Sequence, residues 1–203
     1  MSELQARTLS GLAMLVVALA CLWFGDWAFA LLVAAATGLM GQEWFRLTRN
    51  MEFWLRWSGI PYLLLPAFGL LLLRIDGFQI TLWTMAVVWA TDIGAYFAGR
   101  AIGGPKIAPS ISPSKTWAGL AGGMLAAAVV GMLLADRPSV LWLGAPMAVL
   151  AQAGDFFESW LKRRAGVKDS GNILPGHGGA LDRLDGLVPV ASVMGLLLLY
   201  GAI

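Results

Sequence analysis

Charge is what this chain has least of. Asp, Glu, Lys and Arg make up 13% of its 203 residues against 59% hydrophobic, and mean hydropathy is +0.74. That composition excludes an ordinary soluble domain and points to a membrane. A net charge of +2 gives no reason to expect a nucleic-acid partner. There is one cysteine, Cys21, within an apolar run, so no intrachain disulfide can form and the redox compartment stays open. There is also one histidine, His177, far along the chain from that cysteine, which argues against a zinc site. No internal repeat and no low-complexity tail is present.

What is there is apolar helix. A bilayer core about 30 Å thick takes roughly 17 to 25 mostly apolar helical residues to cross. About seven stretches qualify: Leu9 to Phe24, Trp27 to Gly41, Trp57 to Leu73, Phe78 to Gly99, Thr116 to Ala135, Val140 to Leu161 and Leu184 to Ile203. The start, "MSELQARTLSGLAMLVVALAC", has the outline of a secretory or lipoprotein signal. A lipoprotein turns polar after its cysteine, whereas this chain continues apolar, so the segment reads as a first stretch joined to a second by a tight turn at Gly25-Asp26, the two short stretches forming either two full spans or a helical hairpin. The fold class expected is therefore all-α, a polytopic integral membrane helical bundle.

Basic residues orient it, because cytoplasmic loops collect Lys and Arg. With the N-terminus inside, alternate loops hold Arg7, then Arg46, Arg49 and Arg56, then Arg100, Lys106 and Lys115, then Lys162, Arg163, Arg164, Lys168 and Arg183, twelve of the fourteen. Arg74 and Arg137 remain on the other side, each beside an acid, Asp76 or Asp136. This arrangement places the protein in the inner, cytoplasmic membrane as a multi-pass chain with its C-terminus outside.

Three of the cytoplasmic segments are long. "QEWFRLTRNMEFWLRW" sets Trp44, Leu47, Met51 and Trp54 at helical spacing, as an interfacial helix would. Its plainer reading is an aromatic belt with snorkelling arginines; the other is a role in drawing in an anionic lipid headgroup. "GRAIGGPKIAPSISPSKT" reads as a Gly, Pro and Ser loop, neither helix nor strand. The third, "KRRAGVKDSGNILPGHGGALDRLDG", is dense in Lys, Arg, Asp and Gly.

Acids inside predicted spans are the sharpest local signal, because a mid-bilayer carboxylate costs about 3 kcal/mol on insertion scales. Asp92, Asp155 and Glu158 qualify. The plainer reading of each is a near-interface carboxylate paired with a neighbouring Lys or Arg. For Asp92 and Asp155, a nearby glycine, Gly94 or Gly154, and a basic loop just beyond favour function. Asp182 and Asp185, three residues apart, are expected to project from one face at the start of the last span. If Asp155 approaches them, three carboxylates converge, and an all-oxygen site suits Mg²⁺, Ca²⁺ or Mn²⁺. The pair alone also reads as helix N-terminal acids favoured by the macrodipole. The glycines of "LPGHGGALDR" let backbone N–H groups approach anionic oxygens, and Lys162, Arg163, Lys168 and Arg183 add positive charge. Carboxylates for a divalent ion beside a basic, glycine-rich cradle suit transfer at a nucleotide polyphosphate, although this is not a Walker A sequence.

At these residues the chain resembles the phosphatidate cytidylyltransferases. "SWLKRRAGVKDSGNILPGHGGALDRLDG" matches that family's signature at Ser159, Lys162, Arg163, Lys168, Asp169, Pro175, His177, Gly178, Gly179, Asp182, Arg183 and Asp185. "TDIGAYFAGRAIGG" with "IAPSISPSKTWAGLAGG" is similar to its central loop. The resemblance implies an enzyme that converts CTP and phosphatidic acid into CDP-diacylglycerol and pyrophosphate. It implies Mg²⁺ held by Asp155 and Asp182 with Asp185, and leaves room for a second, monovalent cation such as K⁺ and for a homodimer among membrane lipids. Catalytic roles fall to Asp155, Lys162, Arg163, Lys168, Asp182 and Arg183; substrate-binding roles fall to Asp92, Ser112, Lys115, Asp169, His177, Gly178 and Gly179. His177 is expected to contact a phosphate or base, or to brace the loop, and not to accept a proton. The chain is read as one membrane domain, with residues 76–203 the family-like catalytic region and 1–75 matching no specific motif. Two departures stand out: Ala118 replaces a common Glu, and Ser114 a common Lys. The competing readings are another CTP-dependent lipid enzyme, either a polyprenol kinase or an ether-lipid cytidylyltransferase, and a non-enzymatic transporter or scaffold.

Overall fold

The computed structural model describes residues 3–171 and 178–203. Its elements, in order, are α1 (Glu3–Phe24), α2 (Asp26–Leu47), α3 (Phe53–Asp76), α4 (Phe78–Ala101), β1 (Lys106–Ala108), β2 (Ser112–Thr116), α5 (Trp117–Leu134), a 3₁₀ turn (Pro138–Val140), α6 (Gly144–Arg164), α7 (Leu181–Leu184) and α8 (Leu187–Leu199). The first two helices run 22 residues each and are broken only at Gly25. Its φ of 67° lies in the left-handed region where only glycine is at ease, so the expected tight turn falls there.

Among the described residues four helices are long and apolar enough to cross a membrane: Trp27–Leu47, Phe53–Asp76, Phe78–Ala101 and Trp117–Leu134. Leu9–Phe24 and Leu187–Leu199 are shorter apolar helices. α6, with Asp155 and Glu158 in its second half, is not among the four. Large apolar side chains face outward along the bundle, including Leu31, Phe68, Leu125 and Leu133. In water such a surface would aggregate; against lipid it is the normal exterior of an integral membrane protein.

The interior follows membrane rules. α4 and α5 approach closely through small residues: a Cβ on Gly94 would meet the Gly122 carbonyl oxygen at 2.6 Å. Hydroxyls in α4 are satisfied within the helix, Thr81 donating to Gly77 O, Thr84 to Ile80 O and Thr91 to Val87 O, at 2.8 to 2.9 Å. Trp83, fully buried, donates from Nε1 to Gly131 O at 2.7 Å. One apolar core joins Leu73, Trp83, Val87, Met147, Val190 and Met194. A second, at the other end, joins Trp44, Leu55, Leu63, Leu161, Leu181 and Val188 and underlies the polar segments.

Three expectations are corrected. The segment "QEWFRLTRNMEFWLRW" is not a separate interfacial helix. α2 continues through it to Leu47, and α3 restarts at Phe53. Trp44 is consequently core, 1% exposed, and donates from Nε1 to Arg56 O at 2.9 Å. The Pro- and Ser-rich loop is in part a β-hairpin, with Lys106 opposite Thr116 and Ala108 opposite Ser112. Proline is tolerated because each strand of a two-stranded sheet keeps one free edge, and a residue before proline already favours extended backbone. The last span is shorter than expected: the backbone keeps helical dihedrals from the single turn α7 through Asp185 and Gly186, and the regular helix α8 runs only Leu187–Leu199.

At one end of the bundle Arg137 pairs with Asp76 at 2.7 Å and Asp136 at 3.2 Å. The hairpin, the C-terminal end of α6 and the segment leading to α7 gather at the opposite end.

Candidate active site

α6 supplies the axis of the site. Asp155, Glu158, Ser159 and Lys162 recur at three- and four-residue intervals and so share one face of the helix. Ser159 Oγ lies 3.5 Å from Asp155 Oδ1. Lys162 Nζ lies 2.6 Å from both Glu158 Oε2 and Asp182 Oδ1, so one ammonium serves two carboxylates. Glu158 is thus the lysine-paired carboxylate of its plainer reading.

Asp182 is the most heavily bonded acid in the site. While Oδ1 takes Lys162, Oδ2 accepts from Ser170 N, Ser170 Oγ and Gly179 N, each at 2.8 Å. Burial alone would raise its pKa. The Lys162 ammonium and the Gly179 and Ser170 amides outweigh that and hold the carboxyl down at about 2. Burial likewise works against the charge on Lys162, but Asp182 and Glu158 reverse the effect and its pKa is raised. Gly178 abuts this carboxylate with φ 79°, and a Cβ there would lie 2.7 Å from Asp182 Oδ2.

A second group forms on the other side of Asp155, whose carboxylate is paired with the Lys115 ammonium from β2. Asp185 lies within electrostatic reach of Asp155, Asp92 and Lys115. Asp92 in turn interacts with Lys115, Asp155 and Arg183. Carboxylates from α4, α6 and the α7–α8 junction therefore share one electrostatic neighbourhood with Lys115 and Arg183. The hairpin places Lys115 here because Ser112 and Thr116, at the two ends of β2, are buried, and Thr116 caps α5 by accepting from Gly119 N at 3.0 Å.

The candidate residues are thus divided. Lys162, Asp182 and Gly179 form one group and Asp92, Lys115, Asp155, Asp185 and Arg183 the other, joined through α6. Asp182 and Asp185 take different partners: the Ser170 and Gly179 amides donate to Asp182, and Asp185 accepts from Gly186 N at 2.8 Å. Arg163, Lys168 and Asp169 are exposed. Asp169 lines a cavity of about 490 Å³ with Arg46, Arg49 and Arg164. His177 lies outside the described residues.

Among the described residues no three Asp, Glu, His or Cys side chains converge as a ready metal cage. Mg²⁺ does not require one, since it usually keeps several waters and binds through one or two carboxylates plus substrate phosphates. An all-carboxylate donor set with an ammonium drawn onto Asp155 fits such a hard cation.

Sequence reasoning missed Glu43 and Ser170. Glu43 is 1% exposed near the end of α2 and bonds to the segment before α7. The signal was an acid in an otherwise apolar helix, "GLMGQEWF", hidden by ending that span at Gly41.

Comparison with known proteins gives the family. A sequence model described as "Cytidylyltransferase family" matches residues 51–200. A phosphatidate cytidylyltransferase of Brucella suis is 39% identical over 100% of this chain and 95% of its own length. That of Rickettsia bellii is 34% identical over 95% of this chain and 90% of its own. That of Staphylococcus saprophyticus is 43% identical over 62% of this chain and 51% of its own.

Proposed function

Because the chain belongs to the cytidylyltransferase family, we propose that it joins CTP to phosphatidate, making CDP-diacylglycerol and pyrophosphate at a membrane surface. The observation that carries this reading is similarity along the whole chain to proteins named phosphatidate cytidylyltransferase. The paired lysine–carboxylate groups on α6 are the features it would use.

Phosphatidate presents a phosphate monoester whose second pKa is about 6, so at neutral pH it is already a dianionic nucleophile. An oxygen of that phosphate attacks the α-phosphorus of CTP, the bond from that phosphorus to the α–β bridging oxygen breaks, and pyrophosphate leaves with the bonding electrons. No general base is needed. The protein's work is to bring two anions together and offset charge on the leaving group. Lys115, Lys162, Arg163, Lys168 and Arg183 supply that charge, and the hairpin's Ser112 and the backbone of Gly178 and Gly179 border the phosphates. Asp155 and Asp185, on the Lys115 side, are the carboxylates that would hold Mg²⁺, and Asp182 would join them only by giving up Lys162; the ion would polarise phosphate oxygens.

The distribution of basic residues supports a seven-span arrangement with this end of the bundle, and the N-terminus, on the cytoplasmic side, where CTP is found. A second, monovalent cation and a homodimer belong to the same reading.

The test is product identity. Purified protein in mixed micelles with CTP, phosphatidate and Mg²⁺ should release CDP-diacylglycerol and pyrophosphate in equal amounts. CDP with a newly phosphorylated lipid would instead establish a lipid kinase.

A further inference from the structure

Glu43 sits in the last turns of α2, before the first residue matched by the family model, yet all its bonds reach across the molecule. Oε1 accepts from Ala180 N at 3.0 Å; Oε2 accepts from Leu181 N at 2.8 Å and from Ser170 Oγ at 2.9 Å. The carboxylate therefore holds both flanks of the glycine-rich segment, Ser170 before it and Ala180-Leu181 after it. One turn along the same helix, Arg46 donates to the Ser170 carbonyl, so α2 grips that residue by hydroxyl and backbone alike.

Fit around the carboxylate is close. A Cβ on Gly171 would lie 2.4 Å from Glu43 Oε1, and one on Gly179 2.4 Å from both oxygens. Two glycines flanking the segment therefore leave space for this acid. Ser170 Oγ also lies 2.8 Å from Asp182 Oδ2. A hydroxyl has one proton to give, so Glu43 and Asp182 compete for it, and the placement of one carboxylate bears on the other.

We propose that Glu43 is a positioning residue for the transfer reaction: it fastens Ser170 and Ala180-Leu181 to α2 and so fixes Asp182, and through it Lys162, beside the substrates. This rests on the function proposed above. Buried charge satisfied by three neutral donors is costly to retain unless those donors must be held in place, and an amide cannot replace it. In Glu43→Gln one oxygen becomes an NH₂ facing an N–H or O–H.

The experiment compares wild type, Glu43→Gln, Glu43→Asp and the control Glu52→Gln, an exposed acid paired with Arg164. Glu43→Gln should lower kcat by 10-fold or more while KM for phosphatidate changes less than about twofold. Glu43→Asp should recover part of the loss, and Glu52→Gln should match wild type. Hydrogen exchange should quicken at the Ser170, Ala180 and Leu181 amides of Glu43→Gln and stay unchanged in α4 and α5. Unchanged kcat in Glu43→Gln would overturn the proposal. So would loss of protection throughout the bundle, which would make Glu43 a general fold element. Wild-type protein that makes no CDP-lipid would sink the transfer reading, and the exchange data would still decide whether Glu43 fastens the segment.

Discussion

Replacing Asp182 by Asn tests the site's organisation with the smallest change of shape. In the folded protein one oxygen takes Lys162 and the other takes three donors from Ser170 and Gly179. An amide has a single oxygen, so either orientation turns an NH₂ toward a donor. The size of the effect follows from the carboxyl's fall from 3.8 to about 2. At about 1.4 kcal/mol per tenfold change in proton affinity, that is about 2 kcal/mol favouring the charged form. With the side chain only 8% exposed, solvent screening removes little of it. Hydrogen exchange at the Ser170 and Gly179 amides is the direct assay. Losing about 2 kcal/mol should cut their protection about 30-fold and should abolish nearly all transfer activity. Protection within about threefold of wild type would refute the view that Asp182 holds this segment.

Other outcomes follow from the same geometry. Lys162→Met leaves Asp182 and Glu158 without their shared cation and should cost about 3 to 5 kcal/mol, as broken buried pairs do, seen as a lowered midpoint in thermal unfolding in detergent. Gly178→Ala forces a side chain into a left-handed conformation against Asp182; a loss of about 1 to 2 kcal/mol is expected by the same measurement. The pH dependence has a definite sign. Because the Asp182 carboxyl is depressed, its contribution is full above the ordinary value of 3.8 and disappears as pH falls through about 2. Exchange protection of Ser170, corrected for intrinsic rate, should therefore be flat from pH 5 to 8. Finally, His177→Gln should retain some activity where Asp182→Asn retains almost none; equal, complete loss in both would undo that ranking.

Much of this was legible in the sequence because apolar length reports directly on membrane helices. Where a span carries chemistry the rule weakens: ending the second span at Gly41 hid Glu43, which the helix carries inward before finishing at Leu47. The hairpin at Lys106–Thr116 was hidden by proline and serine, residues whose depletion from strands reflects wide sheets and not a two-stranded ribbon. In the site, the signature named candidate acids but not their grouping. A three-residue spacing predicts a shared face, and the backbone stays helical through Asp185 and Gly186, but Asp185 takes the Gly186 amide while loop amides capture Asp182. Those partners are distant in sequence, and no local pattern announces them.

The most direct test follows the phosphorus. Purified protein is given phosphatidate, Mg²⁺ and CTP labelled at either the α- or the γ-phosphorus. α-Label should appear in the lipid product and γ-label in pyrophosphate, with both lost in EDTA and restored on adding Mg²⁺. Label from the γ-position in the lipid, or transfer that continues undiminished in EDTA, would contradict the proposed Mg²⁺-dependent cytidylyl transfer.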